Sequence, residues 1–215
     1  MLKAIIFDLD DTLLKTRETK FAALKFAGKH FYNIAINDET LNLHWGKPFL
    51  EFMGIVFGNV DSPENISKNY KSIVKQFTNK AYDDALPALE KLFDKFKVGI
   101  LSSAAQSLVM YDIECAGLPI EKFTYVQSAE DTEVHKPNPD VFKPLIRVMS
   151  KYKITPSEML YLGDTKYDYE AAKGAGLHFI GMANRTMIKE EFDKLGANSI
   201  ESLAELPILL SKNYE

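Results

Sequence analysis

Three carboxylates within four residues, Asp8, Asp10 and Asp11, followed at once by the hydroxyl of Thr12, form the most chemically loaded stretch of the chain. Like charges set that close repel by roughly 1 kcal/mol per pair at ~4 Å even in bulk water. A cation, or a proton held on one carboxyl, would relieve the repulsion. A surface loop is the plain alternative, because Asp and Thr are turn and cap formers. Further along stand Ser102-Ser103, the basic residue of a proline-rich loop in His135-Lys136-Pro137-Asn138-Pro139, and two more acids, Asp164 and Asp168. Singly, each has an innocuous reading: Ser102 as a helix cap, Lys136 as a solvated loop charge, Asp164 as a turn former. The fold decides whether they meet.

Three of these groups stop short apolar runs. Leu2 to Phe7 reads as a buried strand that ends in Asp8, Val98-Gly99-Ile100-Leu101 as one that ends in Ser102, and Met159 to Leu162 as one that ends in Gly163-Asp164. Tyr125-Val126 and His178 to Met182 add two more strands. Helical stretches lie between them: Pro87 to Phe96, Gln106 to Ala116 closed by Gly117, Pro139 to Met149, Tyr167 to Ala175 closed by Gly176, and a last one from near Ser202. Strands alternating with helices imply a parallel sheet covered on both faces. The sites of such sheets lie beyond the carboxyl ends of the strands. The polar residues that stop the strands should therefore converge.

One block breaks the alternation. Residues 16–83 read as all helix, with Phe21, Leu24, Ala27 and Phe31 at helical spacing and a helix start at Ser62-Pro63-Glu64. Phe49, Phe52, Met53 and Phe57 recur in the same period, as packing residues. The expected organisation is an α/β core of residues 1–15 and 84–215, with residues 16–83 as a small helical cap folded above the edge where the first strand ends.

Composition narrows the function classes. The 215 residues are 46% hydrophobic and 26% charged, ordinary for a soluble globular protein, and the net charge of −4 carries no footprint for nucleic acid or an anionic membrane. Lone Cys115 excludes an internal disulfide, and it reads as a small buried helix residue. No run approaches the ~18 apolar residues of a membrane span. The first apolar run is too short for a signal peptide, so a cytoplasmic protein is expected.

In order, Asp8-Leu9-Asp10-Asp11-Thr12, Leu101-Ser102, Lys136-Pro137-Asn138-Pro139 and Gly163-Asp164-Thr165-Lys166-Tyr167-Asp168 resemble the four motifs of the haloacid dehalogenase-like hydrolase superfamily. The resemblance spans essentially the whole chain, cap included. Asp11 departs from the glycine frequent at its position. The resemblance implies a Rossmann-like parallel sheet and phosphoryl chemistry. A phosphate monoester is a dianion that a carboxylate cannot approach without neutralisation, and Mg2+ bridges carboxylate and phosphate oxygens. Asp8 would then be nucleophile and metal ligand, forming an aspartyl-phosphate. Asp10 would start protonated, protonate the leaving alcohol, then deprotonate water, its backbone carbonyl touching the metal. Asp164 would complete the metal ligands, with Asp168 acting directly or through water. Ser102 would donate a hydrogen bond to the phosphoryl oxygens, and Lys136 would balance their charge and hold Asp8. Thr12 would brace the loop.

Asp10 also discriminates within the family. Halide leaves as an anion and needs no general acid, so an aspartate at 10 favours phosphoryl transfer over dehalogenation. A phosphosugar mutase shares all four motifs and stands as the alternative to a phosphatase. A non-catalytic binding module would have no need of the paired acids. Substrate choice, for a small phosphorylated metabolite, should rest with Ser102, Ser103 and Lys136 and with cap residues Arg17, Trp45 and Lys47. The last two flank Gly46, a flexible link.

Overall fold

A computed structural model describes residues 1–45 and 47–213. Gly46, read above as a flexible link, lies outside the described residues. Six parallel strands form one sheet among the described residues: β1 (Ala4–Phe7), β2 (Lys97–Leu101), β3 (Tyr125–Gln127), β4 (Met159–Gly163), β5 (His178–Met182) and β6 (Asn198–Ile200), in the order β3-β2-β1-β4-β5-β6. The first strand is therefore central, and the strand order reverses around it. That is the switch point at which crevices open in sheets of this kind. Phe7 lies level with Ile100 of β2 and Leu162 of β4, so Asp8, Ser102 and Asp164 leave neighbouring strands at one edge.

The chain divides into two compact units, 1–15 with 80–215, and 16–79. In the first, each strand sends alternate side chains to opposite faces. Ile5, Phe7, Leu160 and Leu162 join a core with Leu89 and Leu92 of α5 (Ala85–Phe93), Val109 and Ile113 of α6 (Gln106–Cys115), and Leu206 and Leu210 of the last helix. Ala4, Ile6, Met159 and Tyr161 join another with Leu145 and Met149 (Lys143–Ser150), Ala171 and Ala172 (Lys166–Gly174), and Phe192 (Lys189–Lys194). Side chains such as Ile5, Phe7 and Leu162 are essentially inaccessible, each contributing roughly 1.5–3 kcal/mol by burial.

The second unit is helical: α1 (Thr16–Tyr32), α2 (Asp38–His44), α3 (Phe49–Val56) and α4 (Pro63–Ile73), with α7, α8, α9 and α10 (Leu206–Asn213) numbering the remaining core helices in chain order. Its helix starts follow their side chains. Asn37 accepts from the Thr40 amide at 2.8 Å, and Ser62 from the Asn65 amide at 3.2 Å with Pro63 in the first turn. Phe21, Leu24, Leu41, Phe52, Met53 and Ile66 are its buried centre.

Several expectations are corrected. The return to the core falls at Lys80 rather than 84, because the Lys15 amide donates to the Lys80 carbonyl at 2.8 Å and the Tyr82 amide to that of Leu13 at 3.0 Å. Strand β6 and helix α9 had no sequence reading; three and six residues are too short for a periodic signal. Cys115 is exposed, since Val109, Asp112 and Ile113 take the inward side of α6. Phe49 is not packed inside like Phe52, Met53 and Phe57: at 45% exposure it opens α3, with the Lys71 ammonium 6.0 Å above its ring.

Candidate active site

The site starts with the loop after β1. The Asp8 amide donates to the Leu162 carbonyl at 2.8 Å, continuing the β1–β4 ladder one residue past the strand. The amides of Leu13 and Leu14 then both return to the Leu9 carbonyl at 3.0 Å, closing a tight turn that carries Asp10, Asp11 and Thr12. Asp11 takes a left-handed backbone, φ 55°, a region that glycine enters freely and that aspartate tolerates better than most residues. Thr12 is fully buried, and its Oγ1 finds no hydrogen-bond partner among the described residues.

Lys136 meets Asp8 across 128 residues of chain, at 2.7 Å from Nζ to Oδ1. The loop that delivers it is shaped by its neighbours. The Asn138 amide donates to the His135 carbonyl at 2.9 Å, and the Asn138 side chain caps the following turn by accepting from the Asp140 amide at 2.9 Å. The same ammonium donates to Asp168 Oδ1 at 2.7 Å and to the Tyr161 hydroxyl at 2.8 Å. An ammonium has three protons, and all three are placed.

Asp168 does two jobs. Its Oδ2 accepts from the amide and hydroxyl of Thr165, while the Thr165 hydroxyl accepts from the Asp168 amide at 3.1 Å, a reciprocal capping box that starts α8. Its Oδ1 takes Lys136 and Tyr161. A carboxylate offers about four lone-pair positions, and here all are filled by protein donors. Gly163 makes room for this: a Cβ at that position would stand 2.6 Å from the Cβ of Asp168.

Asp164 is buried. The Asn184 amide nitrogen reaches its Oδ2 at 3.4 Å and the Asp11 carbonyl at 2.9 Å. Ser102 is also buried; its amide donates to the Gln127 carbonyl at 2.9 Å, and its Oγ accepts from the Ala104 amide at 3.1 Å. That leaves the Ser102 hydroxyl proton to point at a ligand. Ser103 is exposed and Asp10 partly exposed.

The electrostatics follow from crowding. Asp8 and Asp168 flank one buried cation, Lys136, while Asp10 acts on Asp8, and Asp8, Asp168 and Asp11 act on Asp164. Burial pushes the Asp8 carboxyl up to about 7; Lys136 opposes this, and Asp168 and Asp10 add to it. Asp164 is raised well above the carboxylate range by burial first, then by Asp168, Asp8 and Asp11. Burial alone would lower Lys136, but Asp168 and Asp8 more than offset it, so the ammonium stays charged. The buried Tyr161 phenol is raised well above its ordinary value by burial and these acids, and remains protonated.

Buried carboxylates in excess over a single ammonium are a donor set that a hard divalent cation fits. Among the described residues no group of three or more acidic, histidine or cysteine side chains is arranged to hold a metal ion. Magnesium characteristically uses one or two carboxylates, water and substrate phosphate rather than an all-protein cage.

The Arg17 guanidinium donates to Asn42 Oδ1 at 2.8 Å and lies 5.5 Å from the Phe21 ring and 5.8 Å from that of Trp45. Trp45 packs edge-on to Phe21 and Phe52. Lys47, exposed just ahead of α3, pairs with Glu51 of its first turn at 2.6 Å. Arg17 and Trp45 are thus brought together, and Lys47 is engaged separately.

Two residues at the core edge escaped the sequence reading. Asn184 lies two positions past β5, and the strand-end rule would have found it. Tyr161 lies inside an apolar strand and carries no such signal.

A doubly wound α/β sheet with a buried carboxylate–lysine centre at its switch point defines the class. Residues 5–182 match the model of the family described as haloacid dehalogenase-like hydrolase, and the chain belongs to that family. A relative from Clostridium perfringens, named a candidate pyrophosphatase, PpaX, is 25% identical over 214 residues, spanning 97% of this chain and 95% of its own. Among solved structures, a protein from Thermotoga maritima described as a candidate beta-phosphoglucomutase superposes with a TM-score of 0.81 at 22% identity, covering 99% of this chain and 100% of its own. A protein from Lactobacillus plantarum described as a candidate phosphoglycolate phosphatase gives 0.79 at 17% identity, covering 97% and 99%. No helix among the described residues is long and apolar enough to cross a membrane.

Proposed function

We propose that this hydrolase is a magnesium-dependent phosphatase of a small phosphorylated metabolite, working in the cytoplasm through an aspartyl-phosphate on Asp8. The observation that carries the reading is the Asp8 carboxylate at the switch point, buried, held on one oxygen by Lys136, with Asp10 two residues further along the same turn. Phosphatase names among the relatives support the same class.

Mg2+ would be held by Asp8, Asp164 and the Asp10 carbonyl and when bound would neutralise the phosphate dianion, while Asp168, its oxygens engaged, holds Lys136 in place of the metal role expected of it. The Asp8 carboxylate attacks phosphorus as the bond to the leaving oxygen breaks. Asp10 gives its proton to that oxygen, releasing a neutral alcohol, and then takes a proton from the water that attacks the acyl-phosphate. Phosphate leaves and Asp8 is regenerated. The Ser102 hydroxyl donates to the phosphoryl oxygens as charge builds on them, and the Lys136 ammonium balances that charge while holding Asp8. Ser103 at the same strand end, and Arg17, Trp45 and Lys47 of the cap, are assigned to substrate choice.

Asp8→Asn should reduce magnesium-dependent hydrolysis of an aryl phosphate by at least ~10³-fold while the circular dichroism spectrum is unchanged. Full activity in that variant overturns the nucleophile assignment. A panel of inorganic pyrophosphate, phosphoglycolate, sugar phosphates and nucleoside monophosphates then reads the preferred leaving group.

A further inference from the structure

We propose that Tyr161 is a positioning residue for the reaction: its phenol aims the Lys136 ammonium at Asp8. The inference rests on the phosphatase reading and assigns a part to a residue outside the four motifs.

Tyr161 occupies the middle of β4, fully buried, on the sheet face shared with Met159 and Ile6. Its ring is fixed edge-on against Phe142, with centroids 4.9 Å apart, and lies 6.4 Å from Phe179. A phenylalanine would fill this space equally well. Burying a hydroxyl among aromatic rings is costly unless it is hydrogen-bonded. Packing therefore does not account for it.

The hydroxyl is bonded on every side. It accepts from Lys136 Nζ at 2.8 Å, and its single proton faces Asp168 Oδ1 at 3.1 Å and the Leu101 carbonyl at 3.3 Å. Those three partners come from the lysine loop, from the capping box of α8, and from the residue that precedes Ser102. One rigid side chain thus references all three elements to a single atom. A flexible four-carbon stem carries the Lys136 ammonium, and its direction depends on its acceptors. Two are carboxylates, Asp8 and Asp168, and one of these is the nucleophile. When Asp8 is esterified by the phosphoryl group, it loses the charge that held the ammonium. Tyr161 and Asp168 then remain to keep Lys136 against the transferred group.

Tyr161→Phe keeps the ring and removes only the hydroxyl. With an aryl phosphate and saturating Mg2+, kcat per folded molecule should fall about tenfold, the scale of one hydrogen bond to a charged group, with KM within about twofold. Thermal unfolding monitored in parallel should stay within a few degrees of wild type. An unchanged kcat overturns the proposal and leaves the phosphatase reading standing, whether or not the melting point moves. A rise in KM at constant kcat overturns it as well, since the phenol would then serve ground-state binding. A Phe variant that does not fold makes the hydroxyl a structural requirement and also overturns it. A wild-type protein without Asp8-dependent hydrolysis removes both readings together.

Discussion

The core edge and the cap hold their polar side chains in opposite ways. At the edge, Lys136 is 8% exposed in its side chain, Asp168 is 2% exposed, and each of their hydrogen-bonding positions has a partner. In the cap, Lys47 and Glu51 are 37% and 48% exposed and form a local pair one helical turn apart. The first arrangement binds elements from distant parts of the chain, so no member can change without unsatisfying another. The second can change one residue at a time.

The sharpest way to break this contrast is to remove the ammonium. Lys136→Met leaves Asp8 and Asp168 buried without their cation, which costs on the order of 3–5 kcal/mol when a buried pair loses one member. Denaturant unfolding should register that loss, and kcat should fall by roughly 10²–10³. A variant as stable as wild type would place the edge in the same class as the cap.

Proton linkage gives a smaller effect with a definite sign. The Asp8 carboxyl is raised from 3.8 to about 7 in the folded protein, so the folded state holds that proton more tightly than the unfolded one. Its contribution to stability is complete below pH ~4 and disappears as pH rises through about 7. In chelator, the melting temperature should therefore decline between pH 5 and 8. Mg2+ should suppress the decline, because a cation favours the ionised carboxylate, and Asp8→Asn should flatten it. A melting temperature that climbs over this range, with Asp8→Asn making no difference, refutes the assignment.

The cap should respond least. Lys47→Ala should change stability by no more than about 0.5 kcal/mol, as expected for an exposed ion pair. Its effect on catalysis should appear in KM for the natural substrate and not in kcat. A large loss of kcat would show that the cap shares the rigid logic of the edge.

Much of the edge was legible because abrupt endings are visible in a linear sequence. Asp8, Ser102 and Asp164 each follow an apolar run, and the register of β1 with β2 and β4 sets them on adjacent strands at one edge. Lys136 was legible only through its proline-rich loop and the family motif. Asn184 had a readable position past β5 and was missed. Asp168 was expected near the metal, but the Thr165–Asp168 spacing that makes a capping box also commits its oxygens. Tyr161 was illegible, since a tyrosine inside an apolar strand satisfies the hydrophobic pattern whatever its hydroxyl does. In the cap, the spacing of Phe49 with Phe52 and Phe57 suggested burial, yet the first residue of a helix has no preceding turn to cover it.

Local pattern alone determined the alternation of strands and helices, the helical block after the first strand, and the acids, hydroxyls and lysine from which the family resemblance implied phosphoryl chemistry. These are properties of neighbours in the chain: periodicity, capping and the chemistry of side chains. The tertiary structure decided how those groups are partnered. Lys136 finds its three acceptors at positions 8, 161 and 168, just past β1, within β4 and in the first turn of α8, which only sheet pairing brings together. Hydrogen-bond partnership across such separations is set by strand order and by the face each side chain takes, and neither is written in any one segment.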